Sequence, residues 1–242
     1  MRAREILDEA LGEMLAEMDP RLVRGVFDAV ESLLKCQRLT LTDLGRSLPR
    51  DCGRKHAVKC VDRLLKNPRI EASRGRWGKA LGSALFGRNS NPLLLVDWTE
   101  TGPGFWTLSV ATPIGGRAVA LYHEVHPTAK LSNPKVEREF IHTLKEEVIP
   151  VGCTPVVVTD SGFGTPWFQV VQGVGWDYVG RLGGGMHVCP ESADPADLSG
   201  WERLSVVYQK ANSRPQDLRV CSSNYGTGSS GNYGTTGDAD EG

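Results

Sequence analysis

Apolar side chains recur at helical spacing between Ala3 and Leu34: Ile6, Leu7, Leu11, Met14 and Leu15, then Leu22, Val23, Val26, Phe27, Val30, Leu33 and Leu34. The spacing predicts two amphipathic helices, with Asp19-Pro20 as the break between them. In the following stretch, RLTLTDLGRSLPRDCGRKHAVKCVDRLLKNPRI, Thr40 or Thr42 can cap a short helix that Gly45 and Pro49 end. Ala57 to Leu65 then forms a second amphipathic helix, so the pair makes a helix-turn-helix-like unit.

After Pro92 the period changes from helical to alternating. Leu93 to Trp98, Phe105 to Thr112 and Ala118 to Val125 are rich in β-branched and aromatic residues and are separated by TGPG and PIGG turns, which predicts a three-stranded meander. Lys135 to Glu147 is an amphipathic helix begun by Asn133-Pro134. It leads into Thr154 to Thr159, a short continuous apolar strand of the buried kind. Thr165-Pro166 opens another helix, on which Trp167 and Phe168 are expected to anchor to the sheet, and Trp176 to Leu182 reads as a fifth strand. Beyond Gly183 regular patterning is lost, apart from Trp201 to Tyr208, which suits a strand or a short helix. Residues 222–242 are a Gly/Ser/Thr/Asn tract expected to be disordered.

The resulting division is a helical region (1–88), an α/β core (91–185), an unassigned stretch (186–221) and a tail (222–242). The apolar and charged fractions are those of an ordinary globular protein. No run approaches the roughly 20 apolar residues of a bilayer span, and the N-terminus lacks the unbroken apolar stretch of a secretory signal. A cytoplasmic protein with no membrane partner is expected. Cys36, Cys52, Cys60, Cys153, Cys189 and Cys221 contain no C-x-x-C pair, so neither a zinc site nor a disulfide framework is suggested.

The net charge of −1 conceals an asymmetry. Arg46, Arg50, Arg54, Lys55, Lys59, Arg63, Lys66 and Arg69, followed by Arg74, Arg76, Lys79 and Arg88, face only Asp51, Asp62 and Glu71 on the same segment. Two readings remain open for it: a solvated helix face, or a footprint for nucleic-acid phosphates.

The order β-β-β-α-β-α-β, a meander followed by a helical crossover to a buried strand, is that of the ribonuclease-H-like fold. A right-handed crossover makes the fourth strand parallel to the first. If the two are neighbours, their carboxyl ends lie side by side, where open α/β sheets bind ligands. Asp97 ends the first strand and Asp160 follows the fourth. Two adjacent carboxylates repel unless a cation lies between them, and hard oxygen donors suit Mg²⁺ or Mn²⁺. Such ions can serve phosphoryl transfer on nucleic acid. Arg181, at the end of the fifth strand, is a candidate fork of donors for a phosphate.

The strings LLLVDWTE, VVVTDSGFGTPWFQ and GWDYVGRLGG, with LTLTDLGRSLP and KHAVKCVDRLLKN upstream, together resemble the DDE transposases of the insertion-sequence-four type, over about Leu39 to Gly183. The resemblance implies cut-and-paste transposition. Its partners would be double-stranded DNA, namely terminal inverted repeats and a target, with a possible homodimer on paired ends. It makes Asp97 and Asp160 the first two catalytic aspartates. The family's third carboxylate, a Glu in a Tyr-x-x-Arg-x-x-x-Glu pattern, is not matched: Tyr178 and Arg181 have the first spacing, but Gly185 stands at the Glu position. Glu191 and Glu202 are stand-ins on paper only. The expectation is therefore a truncated or frameshifted transposase. Its alternatives are an inactive DNA-binding remnant that competes with an intact transposase, and a ribonuclease-H-like structure-specific nuclease. His123-Glu124-x-His126 lacks metalloprotease spacing and reads as structural. Trp98 reads either as core or as a wall of the site.

Overall fold

A computed structural model describes residues 3–181, 187–190, 192, 198–210 and 218–221. The tail, Gly183-Gly184-Gly185 and Glu191 lie outside the described residues. The described chain is α/β: a helix-rich N-terminal region followed by a sheet of mixed parallel and antiparallel strands. No described helix is long and apolar enough to cross a membrane.

Helix α1 (Ala3–Leu11) is shorter than its apolar period, and turns carry the buried Leu15 and Met18 on to α2 (Pro20–Cys36). Asp19 caps α2 by accepting from the Arg21 amide, and Pro20 occupies its first turn, where a missing N–H costs nothing. Thr40 caps α3 (Leu41–Ser47), and α4 spans Arg54–Leu65. Gly45 does not end α3, as its residue type had suggested. It lies inside the helix, buried where a Cβ would stand 2.6 Å from Val58 Cα. It is glycine because the α3 backbone lies against the α4 backbone and the Val58 side chain at that point. Gly45→Ala is expected to force the helices apart at a cost of about 1–3 kcal/mol, read as a lower chemical-denaturation midpoint.

Two further helices follow, α5 (Pro68–Ala72) and α6 (Arg74–Phe86). The second joins the two regions. Its Ala80 and Trp77 pack with Phe27 and Leu22 of the helical cluster, while Phe86 and Leu85 join the core of the sheet, and Leu81 touches both. Gly78 lets the helix sit on the Leu121 carbonyl, where a Cβ would approach to 2.7 Å. Arg74 fastens the contact by donating to the His123 carbonyl at 2.7 Å and lying over the Tyr122 ring.

The sheet contains β1 (Leu93–Gly102), β2 (Phe105–Ile114), β3 (Arg117–Pro127), β4 (Val156–Thr159) and β5 (Asp177–Gly180), in the order β3-β2-β1-β4-β5. The meander is antiparallel, and β4 runs parallel to both β1 and β5. Helix α7 (Pro134–Thr143), capped by Asn133 and extended by a π-helical turn over Leu144–Val148, links β3 to β4, and α8 (Thr165–Gly173) links β4 to β5. Phe140, Ile141, Trp167, Phe168 and Val171 of these helices share one core with Leu94, Val96 and Val157. The alternate residues face the other way. Leu93 is 45% and Val179 57% exposed, and Val156 and Val158 are half-buried, so β4 is covered on one face only and not on both as its continuous apolar run suggests.

Beyond Gly183, Trp201 to Tyr208 holds the short strand and helix its pattern allows, whereas the strands at His187–Pro190 and Leu218–Cys221 are not expected from the sequence. Strands β6 (His187–Pro190), β7 (Glu202–Arg203) and β8 (Leu218–Cys221) form an antiparallel sheet in the order β7-β6-β8, accompanied by α9 (Leu204–Lys210). Strands of two to four residues are too short to display a period in the sequence.

Candidate functional site

The register of the sheet brings Asp97 and Asp160 together. Val96 of β1 pairs with Thr159 of β4, and Thr159 pairs with Gly180 of β5. One residue further along each chain stand Asp97, Asp160 and Arg181, in one row across three neighbouring parallel segments. The Arg181 amide donates to the Thr159 carbonyl at 3.1 Å, which carries the ladder to this row. Adjacent strands are about 4.8 Å apart, so the two carboxylates are lateral neighbours. On the other side the row continues through Ser109 of β2 and His123 of β3.

Val96 and Thr159 are buried. Alternation along β1 therefore turns Asp97 to the open face, and Asp160 and Arg181 are likewise exposed. Each carboxylate is held by a single short-range bond. The Thr99 hydroxyl donates to Asp97 Oδ2 at 2.8 Å, and the Gly162 amide donates to Asp160 Oδ1 at 2.8 Å, closing the turn after β4. Among the described residues, no hydrogen bond reaches the second oxygen of either carboxylate. The Arg181 side chain makes no hydrogen bond or ion pair among the described residues, which makes its guanidinium a candidate donor to an anion. Two hard oxygen donors side by side are the residues that could share a divalent cation. Among the described residues, no third Asp, Glu, His or Cys joins them into a metal-holding group. Glu202 lies on β7, in a separate sheet.

Behind the row, Trp98 points to the opposite face, packs against the core of the sheet and donates from Nε1 to Glu137 Oε1 at 3.2 Å. It is a core residue and not a wall of the site. Glu137, on α7, is only 4% exposed, a feature that α7's amphipathic pattern does not reveal. Burial raises its carboxyl above the ordinary value of 4.5, and the Trp98 bond partly opposes that shift. A carboxyl raised by folding contributes stability that is fully present below the unfolded value and is lost as pH rises through the folded one. Glu137→Gln keeps an acceptor for Trp98 and removes the titration. Its melting temperature is expected to exceed the wild type's at pH 8, with the gap closing at acid pH.

His123, Glu124 and His126 do not form a metal cluster. Glu124 accepts from the Tyr122 hydroxyl at 2.8 Å and pairs with His126 at 3.1 Å, and the His126 ring lies edge-on to Trp98.

The basic segment divides in two. Arg46, Arg54, Lys55, Lys59 and Arg63 are exposed on α3 and α4 and have no carboxylate partner among the described residues. Four others are engaged: Lys66 with Asp62, Arg69 with Asp19, Arg50 with Asp28, and Arg74 with Glu71. Asp28 is buried and is also held by Arg4, so Arg50 ties the chain after α3 to α2 and α1. Comparison with family models, curated proteins and solved structures gave no match for this chain.

Proposed function

We propose that the chain is a DNA-binding protein of the insertion-sequence-four transposase type, with a ribonuclease-H-like sheet whose Asp97 and Asp160 hold Mg²⁺ or Mn²⁺ for phosphoryl transfer. The observation that carries the reading is the lateral adjacency of the two aspartates at the carboxyl ends of neighbouring parallel strands. The strand order β3-β2-β1-β4-β5 and the free basic face of α4 support it.

In this reading α4 lies along the phosphates of double-stranded DNA, at terminal repeats and then at a target, with a second copy on the paired end. A bound divalent ion would polarise a phosphodiester oxygen and activate the attacking water or 3′-hydroxyl. Thr99 and the Gly162 amide fix the carboxylates that hold the ion, and Arg181 steadies the phosphate as a fork of donors.

Gly185 at the position of the family's third carboxylate favours a second reading, a DNA-binding remnant that occupies ends without cutting them. Supercoiled plasmid carrying cognate ends, incubated with Mn²⁺, separates the two. Cleavage by the wild type that Asp97→Ala abolishes identifies the enzyme. Retention of the ends without cleavage identifies the remnant.

A further inference from the structure

Between α2 and α4 lies a cleft of about 220 Å³, outside the row of aspartates. Its polar lining is basic: Arg21 from the first turn of α2, Arg63 from the last turn of α4, and Arg50, with Asn67 at the rim. No carboxylate lines it. Arg21 and Arg63 make no side-chain hydrogen bond or ion pair among the described residues. Arg50 commits Nε and Nη2 to Asp28, and its Nη1 has no partner among the described residues. Asn67 Oδ1 accepts from the Arg69 amide, so its amino group remains a donor. The floor is apolar, formed by Val61, Leu64 and the bare backbone of Gly25, where a Cβ would stand 3.1 Å from Leu64 Cδ1.

Asp28 offsets the charge of Arg50, whereas Arg21 and Arg63 line the cleft with no carboxylate partner among the described residues, and an oxyanion there would accept charge-assisted hydrogen bonds from both. Arginine suits a tetrahedral phosphate better than lysine because its donors form a planar fork. We infer that this cleft is a seat for one phosphate group, shared by Arg21 and Arg63. Given the DNA-binding reading, on which this identification of the ligand rests, the group is a backbone phosphodiester beside the α4 face. Arg21 then extends the DNA contact on to α2, beyond the helix-turn-helix-like unit.

The test uses the full chain and a 30-base-pair duplex, with affinity measured against salt. Each neutralised phosphate contributes about 0.9 to the log–log slope. Because the two arginines share one phosphate, the double variant Arg21→Ala/Arg63→Ala is expected to make the slope shallower by about 0.9. Arg24→Ala, an exposed α2 arginine outside the cleft, leaves the slope unchanged. A double variant matching the wild type, or a fall of about 1.8 showing two separate phosphates, overturns the shared seat while duplex binding stands. If the wild type binds no duplex, the DNA reading fails, and inorganic phosphate decides the seat alone. A phosphate-dependent rise in melting temperature that the double variant loses supports it, and equal responses of the two proteins overturn it.

Discussion

Replacing Trp167 with alanine is expected to cost about 3–5 kcal/mol of stability and to weaken whatever Asp160 binds. Trp167 is 1% exposed in the first turn of α8 and packs on Phe163 with ring centroids 4.6 Å apart. Phe163 belongs to the turn that begins at Asp160, so this aromatic pair fastens the loop carrying the carboxylate to the core. Truncating the indole opens a large cavity beneath that loop and releases Phe163 as well. Trp167→Phe should be far milder, for two reasons. Much of the volume is kept, and the indole N–H is buried with no acceptor among the described residues, so its removal recovers part of the loss. Urea denaturation of the three proteins gives the stabilities. A Trp167→Ala midpoint close to that of Trp167→Phe would show that the pair does not anchor the loop.

Neutralising Arg54, Lys55 and Lys59 together is expected to weaken duplex binding by about 500-fold near 0.1 M salt, relative to a 1 M reference, because three lost phosphate contacts reduce the salt slope by about 2.7. These side chains occupy the exposed face of α4, while Ala57 and Val61 turn inward, so the triple alanine variant should remain folded. Neutralising Lys66 and Arg69, which are engaged with Asp62 and Asp19, should have a smaller effect. A filter-retention series across salt concentrations checks both statements. An unchanged slope in the triple variant would leave the α4 charges as a solvated face.

Elements with strong local signals are legible in the chain. Asp19-Pro20 and Asn133-Pro134 start helices where the sequence pattern puts them, and the runs between glycine turns pair as a meander, because caps and alternation act over a few residues. The neighbouring ends of Asp97 and Asp160 follow from element order plus the rule for crossovers. Helix α6 is not legible. Of its five buried positions, Gly75, Gly78, Ala80, Gly82 and Phe86, four are glycine or alanine, which mask its period, and it is stabilised by close approach to other elements. Long-range partners are equally hidden: Arg50 looks like one more member of a basic run until Asp28, 22 residues away, is found against it. Glu137 resembles an ordinary first-turn acid of α7 until Trp98 and the core close over it.

Titration of the intact chain with Mn²⁺ tests the two-aspartate site most directly. The wild type is expected to bind the ion, and Asp97→Ala and Asp160→Ala should each reduce the affinity at least tenfold, because each removes one of two carboxylates that share a single ion. Asp177→Ala, an exposed β5 aspartate outside the row, should leave binding intact. If the wild type shows no Mn²⁺ binding, or if Asp97→Ala and Asp160→Ala bind as well as the wild type, the pair is not a metal site and the phosphoryl-transfer reading is contradicted.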